Sequence, residues 1–194
     1  MKLLINESGN YTCYVGSDYK EKKWTYQCNL KGGWYGFKSN WTSNKAEIVD
    51  SKNEYQASLS FKLRIFKPHF LEIIIKTNDE LISIKPVFGP KFKNIQFKFE
   101  YQNDSYEFLT YKGNIRALYQ NDSLVTKFDK KKISFFDKDV FIIDFESHLN
   151  PVLIIALALF DDIWQRDSSV AVSIDLGNIT GNSSDEIKNW IPKN

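Results

Sequence analysis

Asn150-Pro-Val-Leu-Ile-Ile-Ala-Leu-Ala-Leu-Phe-Asp-Asp-Ile-Trp164 decides the fold of this chain. Asn150 is a preferred helix N-cap, Pro151 suits the first helical position, and the nine residues from Val152 to Phe160 are all apolar. The pattern predicts a helix over 150–164. It has no polar stripe, so every face must be covered, whereas a helix lying on a protein surface leaves one side to solvent. At ~1.5 Å per residue its fifteen residues reach about 22 Å, short of the roughly 20 apolar residues that cross a bilayer. The expected cover is protein, with no transmembrane span.

The residues before the helix supply that cover. Tyr55, Ala57, Leu59, Phe61, Leu63 and Ile65 alternate with Ser58, Ser60, Lys62 and Arg64, the period of a half-buried strand. Leu71–Lys76 and Leu81–Lys85 follow, joined by Thr77-Asn-Asp-Glu80 as a hairpin turn. Ile95, Phe97, Phe99 and Tyr101 alternate again, and Asn103-Asp104 turns the chain into Tyr106–Tyr111. Lys112-Gly-Asn114 and Asn121-Asp122 separate Ile115–Gln120 from Ser123–Phe128, and Lys132–Phe136 and Val140–Glu146 complete the run. Strands about ten residues apart with short turns describe an up-and-down antiparallel sheet, and a long meander closes to remove its edges. The fold expected is mainly β: a closed antiparallel β-barrel around a central hydrophobic helix near the C-terminus.

Residues 1–50 hold only short β-like pieces, Tyr11–Val15 and Trp24–Leu30 among them, separated by glycine turns. Val170–Leu176 alternates as one last strand, and 177–194 reads as a peripheral C-terminal tail. The chain is read as a single barrel domain over 1–176. Composition agrees, with 15 Phe, 10 Tyr and 5 Trp among 194 residues.

Charge narrows the partners. The 26 basic and 24 acidic residues nearly cancel, and only Arg64, Arg116 and Arg166 are arginine, which argues against nucleic acid. Met1-Lys-Leu-Leu-Ile5 is too short an apolar run for a secretory leader, so a cytoplasmic location is expected, peripheral at the membrane if the protein meets lipid. Cys13 and Cys28 are then expected as thiols. Two histidines, His69 and His148, exclude a multi-histidine metal centre. Ser147 and His148 are strand neighbours pointing opposite ways, and no glycine-rich phosphate loop or nucleophile elbow occurs. Asp161 and Asp162 diverge by about 100° on a helix and do not form an acid pair; opposed by the dipole at a helix C-terminus, they call for solvent or a lysine partner.

Tyr106-Glu-Phe, the Lys112-Gly113 turn, Ile115-x-x-Leu-Tyr119, Leu124-Val-x-Lys127, Val140-Phe-Ile-Ile-Asp-Phe145 and the apolar helix ending in Asp161-Asp162 together resemble the tubby C-terminal-like superfamily, which includes phospholipid scramblases and LURP-one-related proteins. The resemblance is best over Ile95–Ile163. It implies a barrel of twelve antiparallel strands closed around a hydrophobic C-terminal helix. In the scramblases a stretch similar to Asp137-Lys-Asp139-Val-Phe-Ile-Ile-Asp-Phe145 has been proposed to bind calcium, which makes Asp137 and Asp139 calcium candidates. A hard cation needs six to eight oxygen ligands, and this stretch offers two carboxylates at the strand start while the later acidic positions are taken by His148 and Asn150. No metal and no other cofactor is expected.

Tubby proteins of the eukaryotic type bind phosphoinositides through basic residues on the barrel surface, and those positions are not matched individually in this chain. The lysines on offer are Lys130, Lys131 and Lys132, read as a turn between strands, and Lys91 and Lys93 beside a Pro-Gly-Pro loop. Each surface lysine adds about 1 kcal/mol of attraction to anionic lipid, and lysine is equally the usual residue of a solvated turn. Trp34, Tyr35 and Trp41 form an aromatic cluster that packs in the core or stacks on a ligand. The leading expectation is a non-catalytic tubby-like domain binding an anionic phospholipid surface or a protein partner. The alternatives are a small-molecule enzyme with a pocket at one barrel end, lined by those aromatics, and a structural subunit of a larger assembly.

Overall fold

In a computed structural model, the chain forms a closed barrel of twelve strands wrapped around one helix. The structure describes residues 1–8, 10–16, 23–31, 42–63, 72–78, 80–88, 95–110, 115–132, 139–168, 187 and 189–193. The strands are β1 (Lys2–Ser8), β2 (Asn10–Val15), β3 (Tyr26–Lys31), β4 (Thr42–Asp50), β5 (Tyr55–Leu63), β6 (Glu72–Thr77), β7 (Leu81–Phe88), β8 (Ile95–Tyr101), β9 (Asp104–Thr110), β10 (Ile115–Gln120), β11 (Ser123–Lys132) and β12 (Asp139–Phe145). Each pairs antiparallel with its sequence neighbours, and β1 closes the wall on β12 with Leu3 opposite Ile143 and Ile5 opposite Phe141. The first four strands, which the sequence left weak, are therefore part of the wall.

Local chemistry sets the turns. Gln102 and Asn103 (φ 52° and 67°), and Asn121 and Asp122 (φ 47° and 65°), place two successive residues in the left-handed region. That is the geometry of a two-residue hairpin turn whose twist matches its strands. The first of these turns sits one residue earlier than Asn103-Asp104, because Asp104 already pairs with Tyr101. Its carboxylate accepts hydrogen bonds from Gln120 Nε2 and Asn121 Nδ2, both at 2.7 Å, tying adjacent turns together and holding the Asp104 carboxyl below its ordinary value.

The helix, α1 (Pro151–Ser168), runs through the lumen. Asn150 caps it, its Oδ1 accepting from Val152 N at 2.9 Å. Val152–Phe160 are all at most 6% exposed, and they meet the inward side chains of the wall in one continuous core. Around Phe160 the packing is edge to face, with Phe97 at 4.7 Å and 80° and Phe108 at 6.4 Å and 62°. Four residues beyond the expected end at Trp164 remain helical, since Gln165–Ser168 contain no glycine or proline to stop them.

Odd-numbered strands end, and even-numbered strands begin, at the rim where the helix leaves the barrel; the helix enters at the other rim. The strand ends flanking 32–41, 64–71, 89–94, 111–114 and 133–138 all sit at the exit rim. Ile187, from the segment expected as a peripheral tail, is 1% exposed and packs on Leu109 and Ala117 of the outer wall. Val170–Leu176 lies outside the described residues. Cys13 and Cys28 are free and buried, with Sγ atoms 3.8 Å apart, and burial followed by the neighbouring thiol pushes Cys13 up.

Candidate functional site

Two groups of charged residues stand out, one inside the barrel and one outside. The inner group begins with a correction. Lys130, Lys131 and Lys132 do not form a turn: all three belong to β11, paired with Phe141, Val140 and Asp139 of β12. Strand alternation then turns Lys130 inward on the face of Phe128, and it is only 7% exposed. Its Nζ lies 2.7 Å from Asp162 Oδ1 and 5.5 Å from the centre of the Phe141 ring. The Tyr11 hydroxyl donates to the other Asp162 oxygen. On the neighbouring strand β10, Arg116 Nε is 2.9 Å from Asp161 Oδ1, and Arg116 Nη1 donates to Ile115 O at 2.9 Å.

Adjacent helix positions thus reach different strands, Asp161 to β10 and Asp162 to β11 and β2. Because α1 continues to Ser168, neither carboxylate sits in the last turn where the dipole opposes a negative charge. Both are buried, at 4% and 0% exposure. Every ion in the group has a partner, so it anchors the helix in the barrel and offers no unpaired acid or base to a substrate. The sequence held a signal for it: Arg116 alternates with Leu118, and Lys130 with Phe128, each on an inward face.

The outer group lies on β6, β7 and β8. Lys76, Ser83, Lys85 and Lys98 point outward and are exposed. Register sets Lys85 directly opposite Lys98, and Lys76 opposite Leu81. Lys98 has Glu107 of β9 at 3.2 Å. Leu81 and Val87, on the same face of β7, are 60% and 41% exposed. The far side of the barrel differs, because there Lys2 and Lys127 share Asp144 at 3.6 and 3.7 Å. Pro86 lacks an N–H, and the described pairing of β7 with β6 stops before it, at Ile84.

Comparison with known proteins gives no match: no family model, no curated protein and no solved structure aligns significantly with the chain. No helix among the described residues is long and apolar enough to cross a membrane. Also among the described residues, no three His, Cys, Asp or Glu side chains gather as metal ligands. Asp139 begins β12. Asp137, Lys91, Lys93, Trp34, Tyr35 and Trp41 lie outside the described residues.

Proposed function

We propose that the protein is a non-catalytic, tubby-like binding module whose β6–β8 outer face engages an anionic phospholipid surface. The observation that carries this reading is the direct cross-strand pair Lys85–Lys98. Like charges opposite each other destabilise a sheet, and an anion lying across them removes the repulsion. Lys76 extends the basic strip, and Leu81 and Val87 add aliphatic groups on the same face. Lys91 and Lys93 fall in the sequence between β7 and β8, the two strands that carry the pair. Lys130 drops out of the lipid-contacting set because its ammonium is committed to Asp162. The resemblance in the second half of the chain supports a tubby-like module, and the helix occupying the lumen leaves the rims and outer wall as the surfaces for contact.

Co-sedimentation tests this, with vesicles of phosphatidylcholine alone and of phosphatidylcholine mixed with phosphatidylserine, at low and high salt. The reading expects binding to the anionic vesicles only, weakened by salt and by the triple substitution Lys76→Ala, Lys85→Ala, Lys98→Ala. Protein that stays in the supernatant with every vesicle refutes it and favours a protein partner for the same face.

A further inference from the structure

The rim where the helix enters the barrel carries a polar cleft that the lipid-binding reading does not use. Its volume is about 180 Å³, and it is lined by Tyr26, Gln56, Asn78, Glu80, Tyr101 and Gln102 around the first turn of α1. A cavity of ~150 Å³ accepts one six-membered ring. We infer that this cleft is a binding site for a small neutral polyhydroxylated ligand, of the size and chemistry of one sugar ring.

The argument rests on which polar groups are already engaged and which are not. Asn150 spends its Oδ1 on the helix cap and donates Nδ2 to the Tyr101 hydroxyl at 3.3 Å. The Tyr101 O–H is left to donate into the cleft. Gln56 donates Nε2 to Asp50 at 3.1 Å and Asn78 donates Nδ2 to Tyr55 O at 3.2 Å, so each keeps its amide oxygen as an acceptor. Among the described residues nothing hydrogen-bonds the Tyr26 hydroxyl or the Gln102 amide. Burial, and then the nearby Asp50 carboxylate, raise the Tyr26 phenol above its ordinary value, so it keeps its proton as a donor. The free groups therefore include both donors and acceptors, which hydroxyl groups satisfy because each both donates and accepts.

The charges of the lining are mixed, which favours a neutral ligand. Glu80 in the lining repels an anion, and among the described residues no lysine or arginine lines the cleft to offset it. The N-terminal end of α1 adds a partial positive charge to the same lining and offsets part of the Glu80 charge. The lining is also held in place. Thr77 Oγ1 accepts from Glu80 N at 3.0 Å and donates to Glu80 O at 3.1 Å, and Thr77 N donates to Glu80 O at 2.9 Å. A preorganised lining spares a ligand the cost of ordering it.

The test is an amide chemical-shift titration of the full chain with D-glucose, D-galactose and myo-inositol, beside inorganic phosphate and tetramethylammonium as charged controls. The expected result is saturable shifts at Asn78, Glu80, Gln102 and Val152 with at least one polyol, half-complete at about millimolar concentrations. Tyr101→Phe is expected to weaken that binding about fivefold by removing one donor. Gln102→Gly gives the same direction with a residue suited to the left-handed turn, so a loss there cannot be blamed on misfolding. No saturable shift with any polyol at about 100 mM, a polyol response that both variants leave unchanged, or saturation by either charged control in place of the polyols, overturns the inference.

Discussion

The two ends of the core helix meet the same requirement, polar groups inside an apolar barrel, in opposite ways. At the exit end Asp161 and Asp162 are buried with Arg116, Lys130 and Tyr11, and the charges are satisfied within the protein. At the entry end Asn150 caps the helix beside Tyr101, and the surrounding amides and phenols turn toward a cleft. The difference teaches where function has room. Buried ion pairs recover little more than the desolvation they cost, so the exit end fixes how the helix sits, whereas the entry end holds groups that a ligand can still reach.

The largest expected effect breaks the exit end. Asp162→Ala leaves Lys130 buried without its carboxylate and is expected to cost about 3–5 kcal/mol in urea unfolding. The double change Lys130→Met with Asp162→Leu is expected to recover most of that loss, because both charges leave together. A double variant as unstable as the single one would mean that the ion pair itself, and not its completeness, holds the helix.

Alkaline pH probes the entry side. Tyr106, stacked on Phe99 at 5.1 Å, is pushed up to about 12 by burial first and by the Asp104 carboxylate second. An unfolded tyrosine ionises near 10, so between about 10 and 12 the unfolded chain has released a proton that the folded one retains. The stability this group contributes is complete below about pH 10 and is lost as pH rises through about 12, by at most about 2–3 kcal/mol. Melting temperature against pH should therefore bend down above pH 10, and Tyr106→Phe should flatten the bend.

Asn150→Ala is expected to cost about 1 kcal/mol, the value of a helix cap. A loss as large as that of Asp162→Ala would erase the contrast between the two ends. The smallest effect falls on the outer wall. Lys85→Glu sets opposite charges across β7 and β8 and is expected to stabilise by about 0.2–1 kcal/mol in thermal unfolding, while lowering capture by anionic vesicles.

Much of this fold was legible because the chain repeats its signals. Nine apolar residues after a cap mark the core helix, and the alternation in Phe97, Phe99 and Tyr101 survives unchanged as the inward face of β8. The first four strands were faint because several of their inward residues are small or thiol, Cys13, Cys28 and Ala46 among them, and there the contrast with polar neighbours is low. Lys130 was misread for a different reason. A run of lysines looks solvated, and the carboxylate that makes burial tolerable lies 32 positions away in the chain. The Lys85–Lys98 pair and the entry cleft depend on register and on loops meeting across the rim, which no local pattern encodes.

Closure of the wall has a consequence for how the chain reaches its native state. Residues Lys2–Asn6 find their partners only when Val140–Asp144 are present, and the helix that fills the lumen follows still later. During synthesis the strands of the wall are made before the helix that fills it. Pairings so distant in sequence slow folding. Until β1 meets β12 the wall keeps two open edges and an apolar inner face, the features that expose a sheet to aggregation.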